Sequence, residues 1–267
     1  MLSSRSRTLA DQAMLGRGDA EFFSDGRAPA VVAFHGFGGT AAELRPLLDR
    51  IAGAGYAVDA ALLPGHGTRV ERLQDLTFDD WLGASRARVQ QAAARHGRVV
   101  VLGFSLGSLL AMELAAEAGS GVAALVVMGN ALTLAAHTSV PLGLADRLGL
   151  RMPDAYLIKP RAGDLVDPAA MGDLVSYDRH PLRSALEVYR AGRRVRPLVG
   201  TIACPTLILH GRRDQVCPWS NATWLADHVG SRDVTLRLFE RSAHVLACDA
   251  ERDEVAREVL AFVGRFG

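Results

Sequence analysis

Apolar residues along this chain gather in short runs separated by polar, helix-patterned segments. Ala30–Phe34, Val99–Leu102, Val122–Met128 and Pro205–Leu209 are runs of strand length. Tyr56–Leu62 is mostly apolar, and Val234–Phe239 alternates with a period of two. Both patterns predict strands, buried on two faces or on one. Helices are predicted at Ala41–Ala54, Thr77–Arg95, Ser108–Ala118, Trp219–Val229 and Ala250–Phe266. Thr40 and Thr77 suit the N-cap positions of the first two. Glu43 and Asp80, three residues on, suit capping boxes, and Gly55 and Gly97 act as stops. Two short strands near Leu9–Leu15 and Ala20–Phe23 would form a hairpin through Gly16–Asp19.

Strands that alternate with helices predict an α/β fold, with a mostly parallel central sheet and helices on both faces. Between Ala131 and Pro197 this rhythm breaks into prolines and short Leu-rich helical pieces. That stretch is expected to be a small inserted helical cap, residues 131–197. Residues 1–130 and 198–267 would form the core domain. In open sheets of this kind, functional loops collect beyond the carboxyl ends of the strands.

The sharpest signal lies at one such end. Val99–Leu102 runs into Gly103-Phe104-Ser105-Leu106-Gly107, and a Leu- and Ala-rich helix follows. Strand, tight turn and helix around G-x-S-x-G form the setting of a nucleophile elbow. Glycines at the crowded positions permit the turn. Ser105 would sit at a helix N-terminus, where backbone N–H groups favour negative charge.

A serine hydroxyl is a weak nucleophile at neutral pH. It needs a base, and the base needs a carboxylate. On this architecture the acid precedes the histidine, and both follow the serine. Asp214, after Pro205–Leu209, and His244, after Val234–Phe239, satisfy that order. His35 and His66 precede Ser105, and His210 is expected to brace its loop. Asn130 ends the strand after the elbow, but an amide cannot orient an imidazolium by charge. Two backbone N–H groups should stabilise the oxyanion. Leu106 follows the nucleophile, and Phe37 lies in the Gly-rich loop His35-Gly36-Phe37-Gly38-Gly39.

Composition narrows the partners. Formal charge is +1 over 267 residues. No basic block with interleaved aromatics points to nucleic acid, so no nucleic-acid partner is expected. Cys204, Cys217 and Cys248 lack disulfide or metal spacing, so no metal site is expected, and reduced thiols point to a cytoplasmic setting. The N-terminus lacks the apolar core of a signal peptide, and no apolar run is long enough to cross a bilayer. No stable membrane anchor is expected.

Several segments together are similar to a known family. His35-Gly-Phe-Gly-Gly-Thr40, Pro64-Gly-His-Gly-Thr68, Thr77-Phe-Asp-Asp-Trp81, Gly103–Gly107, Gly211–Pro218 and Ser242-Ala-His-Val245, with Asp249 to Asp253 after it, resemble the serine α/β-hydrolases. The likeness is greatest to the bacterial monoacylglycerol lipase and small carboxylesterase group. It implies Ser105 as nucleophile, Asp214 as acid, His244 as base, and the amides of Phe37 and Leu106 as oxyanion donors. Ser108 departs from the group, which often has a second glycine there. The implied reaction is hydrolysis of short- to medium-chain acyl esters or monoacylglycerols, with no cofactor. Alternatives are a cofactor-free carbon–carbon bond hydrolase or perhydrolase with the same triad, or a non-catalytic ligand-binding protein on this fold. Leu142, Leu144, Leu148, Leu150, Met152, Leu157 and Ile158 are expected to line an acyl pocket lid or to form the core of the cap.

Overall fold

The apolar runs become strands of one sheet. The computed structural model of the chain describes residues 20–158, 165–167, 169 and 174–267. In chain order the strands are β1 (Phe22–Ser24), β2 (Arg27–Phe34), β3 (Tyr56–Ala60), β4 (Val99–Phe104), β5 (Val122–Met128), β6 (Tyr156–Ile158), β7 (Arg179–Pro181), β8 (Thr206–Gly211) and β9 (Val234–Phe239). The helices are α1 (Arg45–Gly53), α2 (Phe78–His96), α3 (Leu106–Ala116), α4 (Ala136–Arg147), α5 (Leu182–Val195), α6 (Ser220–His228) and α7 (Arg252–Val263). Among the described residues the main sheet has seven strands, in the order β1-β3-β2-β4-β5-β8-β9. All neighbours run parallel except β1, which is antiparallel to β3.

Strand period sets the two cores. Val32, Phe34, Val99 and Val101 pack on one face with Trp81 and Val89 of α2 and Leu109 of α3. Val31, Ala33, Val100 and Leu102 pack on the other with Leu48 and Ile51 of α1 and Val255 and Val259 of α7. Successive side chains of a strand point to opposite faces, so an unbroken apolar run serves both layers. Trp81 is fully buried, and its indole N–H donates to the Pro64 carbonyl at 3.1 Å.

Both expected N-cap residues accept a backbone N–H, and the capping box expected at Thr77 forms. Thr77 accepts from Asp80 N, and Asp80 returns the bond in a capping box. Thr40 accepts from Ala42 N, but its helix opens with a turn of 3-10 helix, Ala41–Leu44, before α1 begins. Glu43, placed by pattern at a capping position, also turns its carboxylate to the Gly36 N–H at 3.2 Å. β1 pairs with β3, and the other strand of the expected N-terminal hairpin, Leu9–Leu15, lies outside the described residues.

Between β5 and β8, which are neighbours in the sheet, the chain makes a long excursion. It holds α4, α5 and an antiparallel pair, β6 with β7, that the sequence pattern does not predict. Three-residue strands are too short to show a period, and β7 contains a proline. The expected apolar lining is corrected as well. Leu142 is buried, but Leu144, Leu148, Leu150 and Ile158 are each more than half exposed. Leu142 and Ala145 take the inner face of α4, which leaves Val140, Leu144 and Leu148, four residues apart, on its outer side.

Candidate active site

β4 delivers Ser105 at the carboxyl edge of the sheet, and α3 starts at the next residue. Ser105 has φ 52° and ψ −116°, a left-handed conformation that side chains rarely adopt. The tight turn depends on its glycines. A Cβ on Gly103 would stand 2.2 Å from the Gly107 carbonyl oxygen, and one on Gly107 would stand 2.1 Å from the Phe34 carbonyl oxygen. Helix α3 therefore begins directly against the end of β2. Ser108 fits the crowded first turn by bonding inward. Its hydroxyl donates to the Ser105 carbonyl at 2.5 Å and accepts the Ala131 N–H at 3.3 Å. A serine at this position ties the turn to the loop after β5 instead of loosening it.

His244 and Asp214 arrive from the loops after β9 and β8. His244 Nε2 lies 3.0 Å from Ser105 Oγ, and His244 Nδ1 lies 2.7 Å from Asp214 Oδ2. A carboxylate only accepts, so Nδ1 carries the proton and Nε2 is free to accept the serine hydroxyl's proton. All three residues are buried, and the Phe104 ring packs 4.8 Å from the imidazole. Asp214 Oδ1 accepts the backbone N–H groups of Val216 and Cys217, each at 2.8 Å. Burial would raise the carboxyl of Asp214. The neighbouring His244 and the hydrogen bonds from His210 and His244 outweigh it and hold the group well below the usual carboxylate range.

The two expected oxyanion donors fall in adjoining segments. Leu106 is the first residue of α3, where N–H groups have no partner within the helix. Phe37 lies in the turn after β2, whose last residue pairs with Gly103. The Phe37 ring packs at a tilt, 4.4 Å from His180 of β7, and lies near His66 and Trp81. The excursion also holds this loop by hydrogen bonds, with Tyr177 N donating to Gly38 O at 2.8 Å and the Thr40 hydroxyl donating to Val175 O at 3.0 Å.

His35 is buried beneath the loop as a neutral ring. Its Nδ1–H donates to Gly36 O at 2.9 Å, and its Nε2 accepts the Leu63 N–H at 3.0 Å. Burial lowers its pKa to about 4, and the bond to Gly36 opposes this only in part. His66, 4.8 Å away, is lowered well below its usual value, again chiefly by burial. An unfolded His35 takes up its proton near pH 6.5, and the folded one near 4. Stability is therefore full above about pH 6.5 and falls with acid until about pH 4, by about 3 kcal/mol from His35 alone. Urea unfolding between neutral pH and about 4.5 should show a falling midpoint, and His35→Gln should make the fall shallower, with the share from His66 remaining. A level midpoint in the wild type would contradict a neutral buried ring.

Two contributors escape sequence reasoning. His210 Nε2 lies 3.0 Å from Asp214 Oδ2, so its bracing contact is made to the acid itself. Asp249, part of a segment that carries the resemblance but given no role by it, is a fully buried carboxylate. It accepts from Ala243 N at 2.6 Å, beside His244, and from Val166 N at 2.9 Å and Asp167 N at 2.8 Å in the excursion.

A parallel sheet flanked by helices, with a serine at a strand–helix elbow and a histidine and an aspartate in later loops, is the architecture of an α/β-hydrolase. Residues 26–251 match the family described as serine aminopeptidase, S33, and the chain belongs to that family. It is 27% identical over 257 residues to a thermostable monoacylglycerol lipase of Bacillus sp. (strain H-257), covering 96% of this chain and 99% of that one. It is 22% identical to a carboxylesterase of Bacillus subtilis (strain 168), covering 91% and 95% of the two. A solved chain described with LipS and LipT, two metagenome-derived lipolytic enzymes, superposes with a TM-score of 0.84 at 25% identity, covering 94% of this chain and 99% of that one.

Proposed function

We propose that the protein is a serine hydrolase that cleaves carboxylic esters, short- to medium-chain acyl esters or monoacylglycerols, through an acyl-enzyme. The observation that carries this reading is the unbroken line of hydrogen bonds from Asp214 through His244 to Ser105, at 2.7 and 3.0 Å. His244 takes the Ser105 proton as the oxygen attacks the ester carbonyl. Asp214 keeps the imidazole in its working tautomer and stabilises the imidazolium that forms. The N–H groups of Phe37 and Leu106 receive the oxyanion, each worth about 3 kcal/mol to the transition state. His244 then protonates the leaving alcohol and activates water to release the acid.

The ester class draws support from full-length likeness to a monoacylglycerol lipase and a carboxylesterase. In this reading residues 131–197 act as a cap over the strand ends of the core, 1–130 and 198–267. The bonds of Thr40 and Gly38 to the excursion support it. No helix among the described residues is long and apolar enough to cross a membrane. A cytoplasmic setting draws on a cysteine count and spacing that suit no disulfide framework.

Initial rates on p-nitrophenyl esters of rising acyl length, monoacylglycerols and an aminoacyl p-nitroanilide test the reading. The expected result is kcat/KM highest for a short or medium acyl ester and negligible for the anilide. Folded protein that cleaves no ester, or that acts on a carbon–carbon substrate or an amide instead, overturns it.

A further inference from the structure

Resting on that reading, we infer that His210 is a positioning residue of the reaction: its Nε2–H is a second imidazole donor to Asp214, fixing the carboxylate and the share of its charge that reaches His244. His210 closes β8, four residues before Asp214, and its side chain is fully buried. Its Nε2 lies 3.0 Å from Asp214 Oδ2 and 3.1 Å from the Cys217 carbonyl oxygen. Both partners only accept, so the proton is on Nε2, where one N–H is shared between the Cys217 carbonyl and Asp214 Oδ2. Nδ1 is buried and has no hydrogen-bond partner among the described residues. A proton on Nδ1 would find no acceptor among the described residues.

The consequence follows from counting donors. Asp214 Oδ1 faces the N–H groups of Val216 and Cys217, and Oδ2 faces the imidazoles of His244 and His210. These are the groups that meet the carboxylate from the loops after β8 and β9. A carboxylate held by four donors cannot swing away when His244 gives its proton to the leaving alcohol. Its negative charge is also divided between two imidazoles. Without the His210 donor, Oδ2 would hold the His244 proton more tightly and favour imidazolium in the free enzyme.

The test compares His210→Met with His210→Gln. The two side chains have similar length, and only glutamine offers a donor near the position of Nε2. In His210→Met the acid limb of kcat/KM should move up by about half a pH unit or more, with kcat several-fold lower. His210→Gln should restore the limb. Equal losses in both variants with the limb unmoved would reduce His210 to a brace of the fold and overturn the inference. A second measurement needs no variant. Nitrogen-15 histidine NMR of the wild type at neutral pH should place the His210 proton on Nε2, and a proton on Nδ1 overturns the inference even if His210→Met does not fold. A wild type that cleaves no ester overturns the reading of the site instead, so the two failures are distinguishable.

Discussion

Ser105→Ala lowers kcat for ester hydrolysis by about 10⁴-fold or more and abolishes labelling by a fluorophosphonate. The expectation follows from the line of bonds in which the Ser105 hydroxyl is the terminal member, 3.0 Å from His244 Nε2, the ring nitrogen opposite the one that faces Asp214. Without that oxygen no acyl-enzyme can form, and the residual rate is that of oriented water beside an oxyanion site. The variant should fold. Alanine has the same backbone preferences at φ 52°, and the turn's other bonds run through main-chain atoms, such as Ser105 N to Met128 O at 3.1 Å. An unchanged circular dichroism spectrum together with lost turnover and lost labelling is the expected pair. A variant that still turns over esters at a tenth of the wild-type rate would remove Ser105 from the mechanism.

The second large effect is Asp214→Asn, expected to lower kcat by about 10³- to 10⁴-fold with little loss of fold. The reason is specific to this site. Oδ1 faces two backbone donors, so the asparagine oxygen would settle there, against Val216 and Cys217. Its NH₂ group would then face His244 Nδ1 and His210 Nε2. His244 would have to accept at Nδ1 and carry its proton on Nε2, the wrong tautomer for receiving one from Ser105. Steady-state kinetics and the rate of fluorophosphonate labelling should fall together. A loss in KM alone would contradict the argument.

Much of this site is readable without coordinates because its parts stand at positions the chain pattern marks. A strand that turns at once into a helix requires small residues, and Gly103 and Gly107 announce the turn before any distance is known. Asp214 and His244 follow strands of clear pattern, β8 and β9, so their edge of the sheet is set by topology alone. What the pattern withholds depends on loops folding back. His210 belongs visibly to a strand end, but only the turn through Cys217 brings its ring to Asp214. Asp249 and Val166 are far apart in sequence and meet through main-chain donors, which carry no residue code. In α4 the leucines are evident but not which side faces the core, because Pro141 and a mixed pattern leave two faces apolar. Short β6 and β7 acquire strand character only from each other.

The backbone of position 105 is one that glycine would occupy with less strain. Durability and reactivity thus pull in opposite directions at a single codon. A laboratory selection rewarding heat tolerance alone would drift toward discarding the hydroxyl, so any campaign to toughen this enzyme must screen survivors for turnover in the same round.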